Sequence, residues 1–294
     1  MSGFTTQPAR AGGEFAIGGD LPVVRLGYGA MQIPGPGVWG EPRDHDEIIR
    51  VLRRALELGV TFIDTADSYG PEVSERLIHE ALHPYPDGMV VATKAGFMRP
   101  GPGRWETNGK PEYLKAEAEK SLRLLGLERI ELFQLHRIDP QVPLADQLGA
   151  LVELQAEGKI GHIGLSEVTV PEIQAARAIT PIATVQNRYN VTDRSAEPVL
   201  EYCEREGIGF IPWFPIATGR LARPGGPLQR IADQHAVTPA QLALAWLLHR
   251  SPVVLPIPGT STVAHLEENV RAALIELTPG QIRQIDAAGP EARS

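Results

Sequence analysis

Four polar residues of this chain could combine in a single site for proton transfer. Asp64 and Tyr69 lie in FIDTADSYG, Lys94 ends VVATK, and His136 ends IELFQLH. Taken singly, each has an ordinary structural explanation, such as a turn cap, a rim aromatic, an ion pair or a core histidine. Together they suit the reduction of a carbonyl group, whose oxygen must receive a proton when its carbon receives hydride.

The four side chains have complementary properties for that reaction. A tyrosine can donate the proton, but the pKa of a free phenol is ~10. A neighbouring lysine ammonium is expected to lower this pKa, and a carboxylate such as Asp64 would keep Lys94 charged inside the protein. A histidine that faces the same point can donate a hydrogen bond to the carbonyl oxygen.

The elements that carry these residues alternate between short apolar segments and longer segments of helical periodicity. Eight apolar segments end at Met31, Thr65, Lys94, Arg137, Ser166, Tyr189, Phe214 and Ile257. Their ends are on average about 32 residues apart, the size of one strand–helix unit. Such alternation indicates parallel strands, and we predict an α/β protein with one (β/α)8 TIM barrel over residues 14–294. We expect residues 1–13 to be disordered, and the segment FAIGGDLPVV to form a β-hairpin over the amino-terminal mouth of the barrel.

Composition excludes several classes of protein. The 294 residues include 36 Asp and Glu against 28 Lys and Arg, so the formal net charge is −8 and nucleic acid is not an expected partner. The single cysteine, Cys203, excludes an internal disulfide framework. No apolar run approaches the ~18 residues of a membrane span, and no secretory signal is visible at the amino terminus. We therefore expect a cytoplasmic protein without a membrane partner.

Glycine and proline cluster after the predicted strands. The segment 35–40 matches the dinucleotide pattern G-x-G-x-x-G, but prolines surround it and the next helix begins only near Asp44, which predicts a loop. The other clusters, at 95–111, 220–227 and 256–259, also follow strands. All of them should lie at the carboxyl-terminal face of the barrel, where this architecture carries its active site. The segment 95–110 has the composition of a mobile lid.

Three segments, FIDTADSYGPEVSE, VVATK and LFQLHRID, resemble the catalytic segments of the aldo-keto reductases, and the resemblance extends from LGYGAM to HLEENV. That family consists of (β/α)8 barrels that use NAD(P)H without a Rossmann domain, and its members are monomers by default. The resemblance implies that Tyr69 is the general acid and base, that Lys94 and Asp64 tune it, and that His136 positions the carbonyl. Segments such as PWFPIATGRL are most similar to bacterial pyridoxal reductases, so pyridoxal is the specific substrate expectation. A general aldehyde or ketone is the broader one.

The same resemblance implies NADPH as the cofactor. Ser166 and Gln186 would bind the nicotinamide carboxamide and Trp213 would stack on the ring, although Glu167 replaces the usual Asn. A segment beside the pyrophosphate contributes Pro215, Ile216, Ala217, Gly219 and Leu221. A segment beside the 2′-phosphate and adenine contributes Gly259, Thr260, Ser261, Thr262, His265, Glu268 and Asn269. NADH is a possible alternative, because the Lys and Arg that many members direct at the 2′-phosphate are absent here.

Several points stay open at this stage. The expected partner is a small-molecule carbonyl substrate, and the candidate pocket residues are Gln32, Trp39, Phe97, Trp105 and Arg188. The histidine and glutamate pairs of the sequence have no evident third ligand, so no metal is expected. Two other functions are possible: a slow-turnover, NADPH-binding regulatory subunit, and an aldolase that uses Lys94 as a Schiff base. For the aldolase, Asp64 would raise the pKa of the lysine, whereas that chemistry needs it lowered.

Overall fold

The computed structural model describes residues 6–216 and 227–287. The α-helices of this part are α1 (His45–Glu57), α2 (Val73–Leu82), α3 (Pro111–Leu125), α4 (Leu144–Ala156), α5 (Val170–Arg177), α6 (Glu197–Glu206), α7 (Pro227–Gln234), α8 (Pro239–Arg250), α9 (Val263–Arg271) and α10 (Pro279–Ala287). Its strands are β1 (Glu14–Ile17), β2 (Leu21–Val24), β3 (Tyr28–Gly29), β4 (Phe62–Asp64), β5 (Val90–Ala95), β6 (Phe97–Gly101), β7 (Arg104–Thr107), β8 (Ile130–Leu135), β9 (Ile160–Ser166), β10 (Thr184–Arg188) and β11 (Gly209–Trp213). Short 3-10 helices lie at Pro8–Gly12, Ala30–Gln32 and Ala272–Leu274.

A parallel sheet forms the centre of the molecule. In the described residues seven strands are hydrogen-bonded in the order β3-β4-β5-β8-β9-β10-β11, and every neighbouring pair is parallel. Each of the helices α1 to α6 lies between two successive strands of this sheet along the chain. The predicted barrel of alternating strands and helices is therefore confirmed.

The predicted eighth strand, ending at Ile257, does not form a regular strand. The segment 253–258 nevertheless bridges the two edge strands: Leu255 N donates to Phe210 O of β11 at 2.8 Å, and Gly27 N donates to Pro256 O at 2.9 Å. Proline has no N–H, so Pro256 and Pro258 cannot donate to a neighbouring strand. The ring of strands is closed here by isolated hydrogen bonds, and the two prolines contribute no donors to them.

The amino-terminal hairpin covers one end of the barrel, as predicted. β1 and β2 pair antiparallel, and the turn between them uses Gly18 and Gly19 at φ of +65° and +93°. Ile17 and Val23 are buried in the same apolar cluster as barrel residues such as Phe62. Preceding it, the 3-10 helix Pro8–Gly12 is held by a hydrogen bond from Ala9 N to Leu58 O, so the expectation of disorder is wrong for that stretch.

The loops at the opposite end are ordered by side-chain contacts. The glycine-rich segment 35–40 is a loop, as predicted, and α1 begins at His45 behind the N-cap Asp44. The predicted lid at 95–110 contains an antiparallel hairpin, β6–β7. Arg99 of this hairpin donates to Val38 O at 3.0 Å and to Ser68 O at 2.8 Å. The guanidinium thereby fastens the hairpin to two neighbouring loops.

Membrane-spanning helices and metal-binding clusters are both absent from the described residues. No helix in 6–216 or 227–287 combines the length and the apolar character needed to cross a membrane. Within the same ranges no group of three or more His, Cys, Asp and Glu side chains is arranged to hold a metal ion.

Closure of the barrel depends on close backbone contact at Gly29. A Cβ at this position would lie 2.5 Å from Ile257 O, a backbone atom that cannot rotate away. Gly29→Ala is therefore expected to reduce the free energy of unfolding by about 1–3 kcal/mol, the usual cost of overpacking. Urea denaturation followed by circular dichroism would measure this loss. The matched control is Gly149→Ala in α4, where an added Cβ has no atom within 4 Å, and which should not destabilise the protein.

Candidate active site

The chemically active side chains lie at the carboxyl ends of the barrel strands. Asp64 is the last residue of β4, Lys94 is the penultimate residue of β5, and His136 follows β8 directly. Tyr69 lies in the turn region after β4, ahead of α2. Because parallel strands end at the same edge of the barrel, residues distant in sequence are brought together there.

A buried ion pair lies at the base of the site. Lys94 Nζ donates to Asp64 Oδ2 and to Thr65 O, each at 2.7 Å, and the two side chains of the pair are 0% and 2% exposed. The other carboxylate oxygen, Asp64 Oδ1, accepts from Gln134 Nε2 and Gln186 Nε2, each at 2.9 Å. Every charged atom of the pair thus has a close polar partner, which a buried ion pair requires.

Gln134 was missed by the sequence analysis. It lies two residues before His136, and side chains two residues apart point to the same face of a strand. A polar residue at an inward-facing position of a buried strand could therefore have identified Gln134 as a residue of the site.

Tyr69 lies above the ion pair and is 5% exposed. Lys94 Nζ is 5.1 Å from the centroid of its ring. Burial raises the pKa of Tyr69 above its ordinary value, and the opposing charge of Lys94 offsets this only in part. The direction is opposite to the lowered pKa expected from the sequence, because desolvation of the phenolate outweighs its attraction to the ammonium. Tyr69 is therefore a neutral phenol, the form that can donate a proton.

Lys94 is held in its charged form. Burial by itself lowers the pKa of this lysine, but the charge of Asp64 and the hydrogen bond to it raise the pKa above its ordinary value overall. The ammonium thus stays protonated at neutral pH beside the tyrosine ring.

His136 is a neutral imidazole. Burial, followed by the charges of Lys94 and Arg137, lowers its pKa well below the ordinary value. Its Nδ1 is 3.4 Å from the Ser68 hydroxyl. When that hydroxyl is the donor, the single N–H of the imidazole is on Nε2 and can donate to a ligand.

Two adjoining cavities open at these residues. The first, of about 190 Å³, is lined by Tyr69 and His136 together with Phe97 and Trp105. The rings of Phe97 and Trp105 meet the His136 ring edge to face, at centroid distances of 4.8 Å and 6.4 Å. This cavity therefore combines a flat apolar wall with the hydrogen-bond donors Tyr69 and His136, among others.

The second cavity has a volume of about 350 Å³. It shares Met31, Tyr69, Gln186 and Trp213 with the first cavity, and its remaining wall includes Gly259 and the strand-end segment before it. A ligand that fills the second cavity can therefore reach the mouth of the first.

Comparison with known proteins agrees with this geometry. The model of the aldo/keto reductase family matches residues 25–290. The chain belongs to this family and is an oxidoreductase. An uncharacterised oxidoreductase of Schizosaccharomyces pombe is 51% identical over 92% of this chain and 88% of its own length. The pyridoxine 4-dehydrogenase of Escherichia coli is 41% identical over 93% of this chain and 97% of its own length. A solved aldo/keto reductase of Klebsiella pneumoniae, in complex with NADP and acetate, has a TM-score of 0.80 and 25% identity, covering 95% of this chain and 96% of that one.

The predicted cofactor residues of this aldo/keto reductase fall into three groups. One group lines the cavities: Ser166, Gln186, Trp213, Pro215, Ile216 and Gly259. A second group lies beyond the lining, directly before α9 and within it: Thr260, Ser261, Thr262, His265, Glu268 and Asn269. There Thr262 caps α9 by accepting from His265 N, and Glu268 accepts from Thr238 Oγ1 at 2.6 Å. Ala217, Gly219 and Leu221 lie outside the described residues.

The predicted substrate residues divide as well. Phe97 and Trp105 line the first cavity, and Gln32 lines the second. Trp39 lines neither of them and packs against the Arg99 guanidinium, 5.4 Å from its ring centroid. Arg188 also lines neither and pairs with Asp193 at 3.2 Å.

Glu167, which replaces the usual Asn, has a defined structural position. Its backbone is left-handed, with φ of +55°, a conformation that non-glycine residues adopt infrequently. The carboxylate Oε1 accepts from Trp213 Nε1 at 2.5 Å and from Arg188 N at 2.6 Å. Glu167 therefore fixes the orientation of the Trp213 indole at the junction of the two cavities.

The buried ion pair yields a stability prediction. Asp64→Asn leaves the Lys94 ammonium buried without a counter-charge, so we expect the free energy of unfolding to fall by about 3–5 kcal/mol at neutral pH. Unopposed burial would then lower the pKa of Lys94 in the folded state. The unfolded chain would bind the extra proton, so the deficit should shrink as the pH rises.

Chemical denaturation at several pH values measures both effects. The control is Glu106→Gln, which breaks the exposed pair of Glu106 with Arg104 and should cost at most about 1 kcal/mol. Equal losses for the two variants would contradict the structural importance of the buried pair.

Proposed function

We propose that this protein reduces an aldehyde or a ketone to an alcohol, with Tyr69 as the proton donor. The observation that carries the proposal is the meeting of a neutral phenol and a neutral imidazole in one cavity, with the buried Lys94 ammonium beside the phenol ring. Each is in the protonation state that the reaction needs, for the physical reason given above. A carbonyl oxygen placed between Tyr69 and His136 would have two donors.

Residues of this chain can supply the proton that the reaction consumes. Hydride adds to the carbonyl carbon, and the Tyr69 hydroxyl gives its proton to the oxygen, which forms the alcohol. The resulting tyrosinate is stabilised by Lys94, which Asp64 keeps charged. A proton from solvent then restores the phenol.

The second cavity suits a dinucleotide cofactor, and we propose NADPH. A reduced nicotinamide supplies the hydride when it is bound. Trp213 offers a flat ring at the junction of the cavities, and Ser166 offers a hydroxyl. Gln186 donates through Nε2 to Asp64, so the atom it has left for a carboxamide is its carbonyl oxygen. The similarity to an aldo/keto reductase solved with NADP supports this assignment.

NADH is the alternative cofactor. The sequence from residue 251 to 270 contains neither Lys nor Arg, so the donors for a 2′-phosphate would be backbone N–H groups and hydroxyls at the start of α9. A weaker preference for NADPH over NADH follows from this composition.

Pyridoxal is the substrate that we propose within the carbonyl class. The similarity to the pyridoxine 4-dehydrogenase of Escherichia coli supports it, and so does the aromatic wall formed by Phe97 and Trp105, which suits a flat ring. A cytoplasmic location and a monomeric state stay predictions from the sequence.

The structure argues against an aldolase. A Schiff-base lysine needs a lowered pKa to be a nucleophile. Lys94 is fully buried, bonded to a carboxylate and has a raised pKa. Its role beside Tyr69 is electrostatic.

The test is the oxidation of NADPH and of NADH by the purified protein with a panel of carbonyl compounds that includes pyridoxal. Tyr69→Phe should bind NADPH as the wild type does, measured by quenching of protein fluorescence. Its kcat should fall by about 100-fold to 10,000-fold, because the proton donor is lost. Wild-type turnover of a good aldehyde by this variant would refute the assigned mechanism. Tight NADPH binding without turnover of any aldehyde would favour the regulatory subunit.

The Glu167–Trp213 contact yields a further prediction. Glu167→Ala removes the acceptor of the indole N–H, and we expect the dissociation constant for NADPH to rise about tenfold, as for loss of one charge-assisted hydrogen bond. Glu167→Gln keeps an acceptor oxygen and should lose less. In a Trp213→Phe background, which has no indole N–H, Glu167→Ala should have little additional effect. An undiminished effect in that background would show that Glu167 acts independently of Trp213.

A further inference from the structure

Arg137 is a cation of the first cavity to which the proposed mechanism assigns no task. It follows His136 directly, is half-buried, and lines the cavity together with Tyr69 and His136. Its Nη1 donates to His136 O at 2.6 Å and to Ser166 Oγ at 3.0 Å. The guanidinium is therefore held in one place at the edge of the site.

Part of the hydrogen-bonding capacity of this guanidinium is unused. Arg has five N–H donors, and within the described part of the chain only Nη1 of Arg137 has a hydrogen-bond acceptor. Burial lowers the pKa of Arg137, and the charge of Glu167 opposes this only in part. The Oε1 atom of that carboxylate already accepts from Trp213 and Arg188. Nε and Nη2 of Arg137 thus have donors to offer.

The surroundings of Arg137 make an anion the fitting ligand. Its Cζ is 5.2 Å from the centroid of the Phe97 ring, and Trp105 completes the aromatic wall. Among the described residues that line this cavity, Arg137 is the one with a permanent charge. A partly desolvated guanidinium with spare donors gains most from a negatively charged oxygen, because charge-assisted hydrogen bonds are the strong ones.

The position of the carbonyl group in the site indicates which part of the substrate can carry the anion. Tyr69 and His136 would hold the carbonyl oxygen, and the Arg137 guanidinium lies beside the imidazole, because its Nη1 donates to His136 O at 2.6 Å and all three residues line the same cavity. An anion that meets Arg137 must therefore be on an atom near the carbonyl carbon, and not at the far end of the ligand.

We propose that Arg137 is a specificity-determining residue that selects carbonyl substrates with an ionised oxygen beside the carbonyl group. In the aromatic series these are aldehydes whose ring carries an ionised hydroxyl at the position next to the aldehyde. Phe97 and Trp105 contact the ring, and Arg137 binds the oxygen anion. The inference rests on the proposed carbonyl reduction and adds the substrate class to it.

Two isomeric aldehydes test this selection. In 2-hydroxybenzaldehyde the phenolate is next to the aldehyde, and in 4-hydroxybenzaldehyde it is opposite, while both phenolates deactivate the carbonyl electronically. Above the pKa of both phenols, we expect the wild type to have a kcat/KM about 10-fold to 100-fold higher for the 2-isomer. 2-Methoxybenzaldehyde has the same substitution without the charge and should not share the advantage.

Arg137→Met should bring the ratio of the two kcat/KM values close to one, and Arg137→Lys should keep part of the preference. The ratio is the correct readout because Arg137 also contacts Ser166, and damage to cofactor binding would lower both values together. Arg129→Met is the control, since the exposed Arg129 side chain pairs with Glu131 and lines neither cavity, and its ratio should equal that of the wild type.

The failures of the two proposals are distinguishable. Turnover of both isomers by the wild type without a preference, or an unchanged ratio in Arg137→Met, would overturn the selection by Arg137 and leave carbonyl reduction standing. Absence of turnover with all three aldehydes and with pyridoxal would overturn the proposed function together with the inference. If Arg137→Met does not fold, the pH dependence of the wild type provides the test. The ratio of kcat/KM for the 2-isomer to that for the 4-isomer must grow as the phenols ionise. A ratio that does not change with pH would refute the selection.

Discussion

The ion pair between Lys94 and Asp64 is the interaction on which the rest of the site depends. Two charges removed from water are stable only when their geometry and remaining hydrogen bonds compensate for the lost hydration. Here the compensation comes from Thr65 O, Gln134 and Gln186. Gln134 belongs to β8 and Gln186 to β10, and Thr65 follows β4. The buried Asp64 carboxylate therefore connects strands from distant parts of the chain, and it lines the second cavity.

Burial also decides the protonation states above this pair. Desolvation disfavours charged forms, so it raises the pKa of Tyr69 and lowers that of His136. Both shifts leave a neutral group with a proton to donate. Lys94 is the exception, because its partner restores the charge that burial opposes. Burial together with the single counter-ion Asp64 thus produces a proton donor (Tyr69), a hydrogen-bond donor (His136) and a fixed positive charge (Lys94).

The irregular closure of the barrel contributes to the same face of the molecule. The segment 253–258, whose Pro256 and Pro258 have no N–H to donate, does not form a regular strand, and it reaches the neighbouring strands by isolated hydrogen bonds. Gly29 and Gly259 permit close approach there, and both line the larger cavity. The strands of the barrel lack regular pairing at this point, and this is also where we expect the dinucleotide cofactor to bind. Arg99 of β6 and Glu167 after β9 then fix the loops that surround this opening.

The sequence by itself determined the features that depend on local spacing. Strand–helix alternation, the helix start at Asp44 and the hairpin at Gly18 and Gly19 follow from periodicity and backbone preferences. The positions of Asp64, Lys94 and His136 at strand ends were predictable for the same reason, since parallel strands bring their carboxyl ends together.

Only the tertiary structure decided which side chains face the cavities and how strongly burial acts on them. Trp39 and Arg188 were expected in the substrate pocket and lie outside it, whereas Arg137 lines it. Glu167 contacts Trp213, 46 residues away in the chain. The physical reason is that the direction of a loop side chain, and its loss of water, are set by packing between distant segments. The spacing of residues along the sequence does not reveal that packing.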